Sequence, residues 1–254
     1  MHGFVRGRSC SSGAQAHVGA AVVIGMDLAA FFAAVRAPRV YGILRTAGYP
    51  EAVAHLLTGL GTTATPIAVL AAMPPGGSAG DRFVLRRALA APHLPQGAPT
   101  SPQWANLAAY RLDCRIAGLA TASGVTYTRY ADDLTLSGGL RPEQASRLVD
   151  VVRRIALDEG FRLNEAKSRV QPRATRQLVT GIVVNDGRNA PREDYEVLRA
   201  ILHNAARTGA SAQNREGHPD FRAHLLGRIG WIEGLNPGRG RRLRADFDRV
   251  DWAR

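Results

Sequence analysis

The sequence predicts an α+β domain followed by a small helical region that begins at about residue 190. Two observations before that position indicate a sheet: an apolar, strand-like run over 19–26 and a period-two alternation over 125–138. Helix-like stretches separate these strands, and helical spacing dominates after residue 190. Strands and helices mixed in this order are typical of one sheet with packed helices.

The segment before residue 125 is predicted as one buried strand followed mainly by helices. The strand, "GAAVVIGM", ends at Asp27, and "LAAFFAAV" after it has helical character. Apolar positions at helical spacing predict helix over 40–60 and again over 103–120. Between these helices, proline and glycine predict a flexible loop over 73–81 and a turn-rich segment over 94–102.

The segment after residue 125 begins with the hairpin and continues with predicted helices and one further strand. An amphipathic pattern predicts a helix over 142–158, and "QLVTGIVVN" predicts a strand over 177–185. The stretch 207–219 is polar and predicted to be loose, and the basic stretch 238–244 is predicted to be helical. A further helix before them is marked by apolar residues at 195, 198, 201 and 202.

The chain is strongly basic, with a formal net charge of +12 and a pI of about 11.0. Such an excess predicts a polyanionic partner, most simply nucleic acid; an arginine-rich genome is the alternative explanation. Cys10 and Cys114 lie far apart without the spacing of a metal site or a disulfide framework, which predicts a reducing, cytoplasmic location. The apolar stretch 18–35 contains Asp27, whose insertion into a bilayer would cost roughly 3 kcal/mol, so we expect no membrane span.

Two adjacent aspartates, Asp132 and Asp133, lie at the tip of the predicted hairpin. Their like charges repel, so the pair costs stability unless a cation neutralises it. Magnesium prefers oxygen ligands. With Asp27 at the end of an adjacent strand, the set suits two ions roughly 4 Å apart, which activate an attacking hydroxyl and stabilise a leaving pyrophosphate. For any single aspartate, the alternative is a turn or cap residue.

Several motifs, which follow one another along the chain in the family's order, resemble those of the reverse transcriptases and within them the bacterial retron type. "GAQAH" (13–17) resembles a retron hallmark, Asn-Ala-x-x-His, with Gly13 in place of the asparagine, and "VTG" (179–181) resembles the other hallmark. The first catalytic motif is matched by "MDLAAFF" (26–32) and the second by "YADD" (130–133). The template- and nucleotide-contacting motif is matched by "LPQGAPTSP" (94–102), and the lysine-bearing motif by "RLNEAKSRV" (162–170). The resemblance covers nearly the whole chain and implies an RNA-directed DNA polymerase.

The resemblance implies roles for the matched residues at the catalytic centre. Asp27, Asp132 and Asp133 would hold two Mg²⁺ ions, with Mn²⁺ as a substitute. Phe32 would pack against the sugar and reject a 2′-hydroxyl by its bulk, whereas a core position is the alternative for it and for its neighbour Phe31. The other implied contacts to the incoming nucleotide are Leu28, Gln96 and Gly97, with a plain loop as the alternative for the last two.

Lys167 is the only lysine of the 254 residues, since every other basic side chain except histidine is arginine. Arginine holds its proton too tightly to act as an acid, whereas a lysine with a pKa of about 10.4 can protonate a departing pyrophosphate. At a position that matches the family's lysine, this predicts a catalytic acid. A chance surface lysine is the alternative.

The resemblance also implies contacts to primer and RNA. Tyr130 would support the primer end, or would be a buried strand aromatic. Thr180 and Gly181 would contact structured RNA, or would simply be a strand ending at a glycine turn. His17 is predicted to serve helical packing or RNA contact and to bind no metal. The C-terminal arginines would grip phosphates or form a solvated face: Arg239, Arg241 and Arg242.

In architecture, the resemblance implies a polymerase palm with an antiparallel sheet and residual fingers over 1–190, and a small helical thumb over 191–254. The family's fingers segment, whose basic residues clamp the triphosphate, would precede "MHGFVRGRS" at the start of this chain. Either the start lies further upstream or the chain is a truncated relative; we expect this chain to bind RNA and to extend primers poorly without that segment.

The implied partners are deoxynucleoside triphosphates, an RNA–DNA hybrid and a structured non-coding RNA that is template and, through an internal 2′-hydroxyl, primer source. A role in phage defence with an effector protein is also implied. Two alternatives stay open: a group II intron-like or other bacterial reverse transcriptase, and an RNA-binding remnant without activity.

Overall fold

The computed structural model describes residues 1–74 and 78–252, and a four-stranded antiparallel sheet lies at its centre. The strand order is β2-β3-β1-β4. The strands are β1 Val22–Asp27, β2 Thr126–Tyr130, β3 Asp133–Gly138 and β4 Arg169–Pro172. A separate two-stranded hairpin consists of β5 Leu178–Val179 and β6 Ile182–Val183.

Helices cover both faces of this sheet. In chain order they are α1 Cys10–Gln15, α2 Phe31–Ala34, α3 Ala37–Thr46, α4 Glu51–Gly61, α5 Ile67–Ala71, α6 Ala79–Ala90, α7 Ser101–Ala108, α8 Tyr110–Ala122, α9 Pro142–Asp158, α10 Arg192–Thr208, α11 Phe221–Leu235 and α12 Pro237–Phe247. Short 3₁₀ turns occur at Glu165–Lys167 and Ser211–Gln213. Helix α9 starts at a proline, which suits the first helical turn, and stops just before Gly160, whose φ is +80°.

Strand β1 separates two hydrophobic cores because its successive side chains point to opposite faces. Val22, Ile24 and Met26 belong to a core that includes residues of β3, α3, α7, α8 and α9. Val23 belongs to a second core, which it shares with Ala14 of α1, with β5 and β6, and with α10, α11 and α12. The strand that ends at Asp27 is therefore packed on both faces.

The structure confirms the α+β class, the hairpin over 125–138 and the helix over 142–158. Helix also forms within 40–60 and 238–244 as expected. The single strand predicted over 177–185 is wrong, because the chain reverses at Thr180 and Gly181, with φ of 47° and 80°.

Two other expectations need correction. The helix predicted over 103–120 is divided at Ala109, which has φ −85° and ψ 3° and leaves helical geometry. The predicted loop over 73–81 ends early, because α6 starts at Ala79; residues 75–77 lie outside the described part. Helices α5 and α6 were not predicted.

Both cysteines are unpaired thiols, in keeping with the absence of a predicted disulfide. Among residues 1–74 and 78–252, no helix combines the length and the apolar character that crossing a membrane requires.

Candidate active site

Antiparallel pairing of β1 with β3 brings the predicted carboxylates to one end of the sheet. Asp27 lies directly opposite Asp133 in the register, and the Leu28 amide donates a hydrogen bond of 2.9 Å to the carbonyl of Asp132. Asp27 is only 7% exposed, since the core packs around the strand that carries it. The three carboxylates thus come from one strand end and the adjoining hairpin turn.

The electrostatics of this cluster favour an added cation. Burial raises the pKa of Asp133 to about 6, and repulsion from Asp132 and Asp27 contributes to the same direction. The pKa of Asp132 is also raised, mainly by burial and further by the charge of Asp27. The cluster therefore holds more negative charge than its surroundings compensate, which is the condition that a bound divalent cation relieves.

Lys167 is the cation that the chain itself supplies. Its Nζ lies 3.0 Å from Oδ1 of Asp27, and this hydrogen bond is the first cause of its raised pKa. The 3₁₀ turn Glu165–Lys167 is positioned by the Asn164 amide, which donates to the carbonyl of Asp27 at 2.7 Å. Since Lys167 remains 61% exposed at its side chain, it borders the cluster rather than lying within the core.

The donor set fits a hard divalent ion in chemical type, because it consists of carboxylate oxygens. In the described part of the chain, however, no three carboxylate, imidazole or thiol groups converge closely enough to hold an ion as they stand. Lys167 is bonded to Asp27 instead. Binding an ion at Asp27 would therefore require this lysine to move aside.

Arg129, which the sequence analysis did not identify, lies directly beneath the turn between β2 and β3. Its side chain is fully buried, and it donates to both carboxylate oxygens of Asp113 at 2.8 and 2.7 Å. The same guanidinium donates to the Ala131 carbonyl at 2.8 Å and to Asn106 Oδ1 at 3.1 Å. Ala131 is in the left-handed region, with φ of 54°. Arg129 thus fixes the residue that precedes Asp132, and its place directly before "YADD" was the available signal.

His17 braces the hairpin through two of its buried hydroxyl side chains. Its Nε2 lies 2.7 Å from Thr128 Oγ1 and its Nδ1 lies 2.7 Å from Ser137 Oγ. The side chain is 1% exposed, and burial lowers its pKa to about 4. The structure places the ring inside the protein, bonded to hydroxyls of β2 and β3, so a direct contact of this ring with RNA would require those bonds to open.

The aromatic pair after Asp27 divides between core and surface. Phe31 is 2% exposed and its ring lies 5.7 Å from that of Phe161, whereas Phe32 is only partly buried. The Leu28 side chain, predicted to contact a nucleotide, is 1% exposed and belongs to the core. A nucleotide contact by Leu28 stays a prediction and would have to involve its backbone, because the side chain is enclosed.

The predicted nucleotide loop lies beside α2. The Leu94 amide donates to the Val35 carbonyl at 3.1 Å, which places the start of this loop next to the helix that carries Phe32. Gln96 and Gly97 are both exposed. Gly97 has φ of +89° and nothing within 4 Å of a Cβ built on it, so its backbone conformation is what requires glycine.

The remaining predicted contacts are spread over the surface. Tyr130 is partly buried and pairs with Asp133, close to the carboxylates. Thr180 and Gly181 form the tip of the β5–β6 hairpin. Arg239 stacks over the Tyr195 ring at 4.9 Å, which gives it a packing role, whereas Arg241 and Arg242 are exposed.

A family model described as reverse transcriptase (RNA-dependent DNA polymerase) matches residues 1–182, which contain the three aspartates and Lys167. The chain is 41% identical over 247 residues to the retron Mx65 reverse transcriptase of Myxococcus xanthus, covering 95% of this chain and 53% of that protein. It is 38% identical over 266 residues to the retron Mx162 reverse transcriptase of the same organism, covering 98% and 52%. The predicted resemblance to retron reverse transcriptases is confirmed.

A third relative, the retron Ec86 reverse transcriptase of Escherichia coli, is 32% identical over 202 residues, or 79% of this chain and 54% of that protein. The chain thus spans about half the length of the curated relatives it matches. Among solved structures, the foamy viral protease-reverse transcriptase in complex with an RNA/DNA hybrid aligns with a TM-score of 0.47 at 15% identity, covering 91% of this chain and 23% of that one.

Proposed function

The chain belongs to the reverse transcriptase family, and we propose that it synthesises DNA on an RNA template in the manner of the retron enzymes. The observation that carries this proposal is the meeting of Asp27, Asp132 and Asp133 at one end of the sheet. Their combined negative charge favours binding of divalent cations, which in turn bind the triphosphate of an incoming nucleotide.

In this proposal the three carboxylates hold two Mg²⁺ ions, with Mn²⁺ able to replace them. When bound, these ions supply activation of the primer 3′-hydroxyl and neutralisation of the departing pyrophosphate. The chain's own contribution is to fix the ligands: strand pairing holds Asp27 opposite Asp133, and the buried Arg129 holds the turn before Asp132. Preorganised groups of this kind need no rearrangement of their backbone during the reaction.

Lys167 is proposed as the acid. In the structure its ammonium is bonded to Asp27, which raises its pKa. After Lys167 moves aside for an ion at Asp27, an unperturbed lysine, with a pKa of about 10.4, is still protonated at neutral pH and can donate its proton. The proton would pass from Nζ to an oxygen of the leaving pyrophosphate as the bond to the α-phosphorus breaks. Arginine at this position would preserve the charge but would transfer a proton poorly.

Phe32 is proposed to select the sugar, and Gln96 with Gly97 to approach the incoming nucleotide. Support comes from the partial exposure of the Phe32 ring and from the bond of Leu94 to Val35, which brings the exposed loop beside α2. A ribose 2′-hydroxyl would collide with the ring, and the ring offers no hydrogen bond in return.

The partners follow from the retron likeness and from charge. We propose a structured non-coding RNA as template and primer source, an RNA–DNA hybrid as product, and a role in phage defence with an effector protein. The net charge of +12 supports a polyanionic partner. The exposed Arg241 and Arg242 would contribute phosphate contacts, as would the surface near Thr180 and Gly181.

The test is primer extension on an RNA template with Mg²⁺ and deoxynucleotides, using the chain expressed with any coding sequence that continues in frame around it. Asp132→Asn should lower extension at least about 100-fold, since removing one metal ligand forfeits several kcal/mol of transition-state stabilisation. Asp186→Asn is the matched control, because Asp186 is 81% exposed and only pairs with Arg173.

Extension by Asp132→Asn at the rate of the unsubstituted chain would refute the assignment. Salt-dependent RNA binding without extension by the unsubstituted protein would instead favour the RNA-binding alternative. Measuring both properties on one preparation separates the two functions.

A further inference from the structure

The first four residues are held against the catalytic hairpin by contacts that the family motifs do not explain. The His2 amide donates to the Arg129 carbonyl at 2.7 Å, and Asn106 Nδ2 donates to the Gly3 carbonyl at 2.9 Å. A Cβ at Gly3 would lie 2.4 Å from the Ala131 amide nitrogen. The backbone of this segment therefore approaches the turn that bears Asp132 as closely as glycine permits.

Phe4 follows in a conformation that its own sequence disfavours. Its φ is 59°, in the left-handed region, where a bulky residue is uncommon and strained. Strain of this kind persists only when surrounding contacts impose it, and it is frequent at functional sites. The ring is nevertheless 44% exposed, so burial in the core does not explain the conformation.

The conformation places the Phe4 ring close to both aromatic residues of the proposed site. Its centroid lies 6.3 Å from that of Phe32 and 6.3 Å from that of Tyr130. Phe32 also contacts Phe31 edge-on, with ring centroids 5.6 Å apart. Phe32 therefore contacts both a ring anchored in the core and a ring presented by the N-terminal segment.

Phe32 needs such support because its own helix is short. Helix α2 has four residues, and the residue before it, Ala30, is itself left-handed with φ of 49°. One helical turn fixes a side chain weakly, and a ring that excludes an atom by bulk must hold its place against displacement. Phe4 adds a contact to the Phe32 ring from a segment outside the core.

We propose that Phe4 is a positioning residue that holds the Phe32 ring and thereby sets how strictly deoxyribonucleotides are preferred to ribonucleotides. The inference rests on the proposed function, and it assigns part of substrate selection to residues that precede the first catalytic strand. Aromatic pairs contribute an increment that corresponds to about a two- to tenfold effect.

The experiment compares kcat/KM for a deoxynucleotide and the ribonucleotide of the same base during primer extension. Phe4→Ala should lower the preference for the deoxynucleotide about two- to tenfold, chiefly by raising ribonucleotide kcat/KM. Phe4→Tyr should retain the preference. Tyr49→Ala is the matched control, since Tyr49 is also 44% exposed and lies in a different part of the chain.

A coupling measurement adds a readout that general destabilisation would not reproduce. In a Phe32→Val background, Phe4→Ala should add little to the loss of preference, because the ring it positions has been removed. An unchanged preference in Phe4→Ala, with deoxynucleotide extension intact, would overturn the inference and leave the polymerase assignment standing. Independent, multiplicative effects of the two substitutions would also overturn it. Absence of extension by the unsubstituted protein would instead overturn the proposed function, and this inference with it.

Discussion

Two tight turns in this molecule each contain a non-glycine residue in the left-handed conformation, and they differ in the contacts that hold it. The β2–β3 turn contains Ala131 and Asp132, and the β5–β6 turn contains Thr180 and Gly181. Ala131 and Thr180 are both non-glycine residues in the left-handed region, with φ of 54° and 47°. That conformation is costly for a residue with a Cβ.

The β5–β6 turn is held locally. Thr180 Oγ1 donates to the Val179 carbonyl at 2.8 Å, and Gly181 takes the second left-handed position, as a two-residue hairpin of this kind requires. The β2–β3 turn is held by the guanidinium of Arg129, from the preceding strand, and by the Leu28 amide of a distant segment. Asn106 and Asp113, which lie in α7 and α8, hold that guanidinium in turn, so the geometry of this turn depends on other segments as well as on its own hairpin.

Removing Arg129 should have the largest effect on the free energy of unfolding. Arg129→Met leaves Asp113, which is 17% exposed at its side chain, without its charged partner, and we expect a loss of roughly 3–5 kcal/mol in chemical denaturation. Arg173→Met is the control, because the Arg173–Asp186 pair is exposed and should cost no more than about 1 kcal/mol. Equal losses of unfolding free energy in Arg129→Met and Arg173→Met would contradict the proposal that Arg129 holds the β2–β3 turn.

Acid should weaken the brace that His17 provides. The ring's pKa is about 4 in the folded chain and about 6.5 when unfolded, so the unfolded state binds the extra proton first. Stability from this group is complete above about pH 6.5 and is lost as the pH falls toward 4, by at most about 3 kcal/mol.

The measurement for His17 is the free energy of unfolding between pH 4 and 7, compared with that of His17→Asn. The raised pKa of Asp133 acts in the opposite sense, and the difference between the two proteins cancels it. His55→Asn, at an exposed histidine, is the control substitution. Parallel profiles for the unsubstituted protein and His17→Asn would contradict this prediction.

Lys167→Arg should slow nucleotide transfer at the carboxylates of the β2–β3 turn. The charge beside Asp27 is preserved while the acid is lost, so we expect at least a tenfold lower single-turnover rate with a much smaller change in nucleotide affinity. If Lys167 only attracts the triphosphate, arginine should substitute well and Lys167→Ala should weaken affinity instead. Rapid-quench kinetics at varied nucleotide concentration separates these outcomes.

Glycine substitutions in the two turns should have the smallest effects on the free energy of unfolding, and they compare the turns most directly. Ala131→Gly and Thr180→Gly relieve left-handed strain but loosen the unfolded chain, so each should change the free energy of unfolding by no more than about 1 kcal/mol. Ala131→Gly should slow primer extension more than Thr180→Gly, because only the β2–β3 turn presents a carboxylate. Equal extension rates for both variants would show that the catalytic turn does not depend on a rigid Ala131.

Regular periodicity explains which elements were predictable. Helix α9 was located at both ends because its apolar face repeats cleanly, and the hairpin because its strands alternate. The meeting of Asp27 with Asp133 followed from the motif order and is realised by the register. A glycine turn at Thr180 and Gly181 was kept only as an alternative, because threonine is unusual in the left-handed region and "VTGIVV" resembles an uninterrupted strand.

The supports of the site were not predictable for a different reason. Arginine in a strand normally indicates a solvent-facing position, and only the three-dimensional placement of Asp113 and Asn106 makes burial of Arg129 tolerable. His17 carried a motif resemblance that suggested RNA, yet its partners are hydroxyls 111 and 120 residues away in the chain. Contacts of that sequence separation leave no local pattern.

The two-sided packing of β1 has a consequence for how the molecule exchanges hydrogen with solvent. Because β1 lies between β3 and β4 with a core on each face, its amides should be exposed only when both cores open together. Deuterium uptake at residues 22–26 should then be the slowest in the chain and should follow global unfolding. Deleting 191–254 would uncover Val23, Val179 and Ile182 and should accelerate that uptake. The proposed thumb would thus be a separate region in function while belonging to the same cooperative folding unit as the catalytic strand.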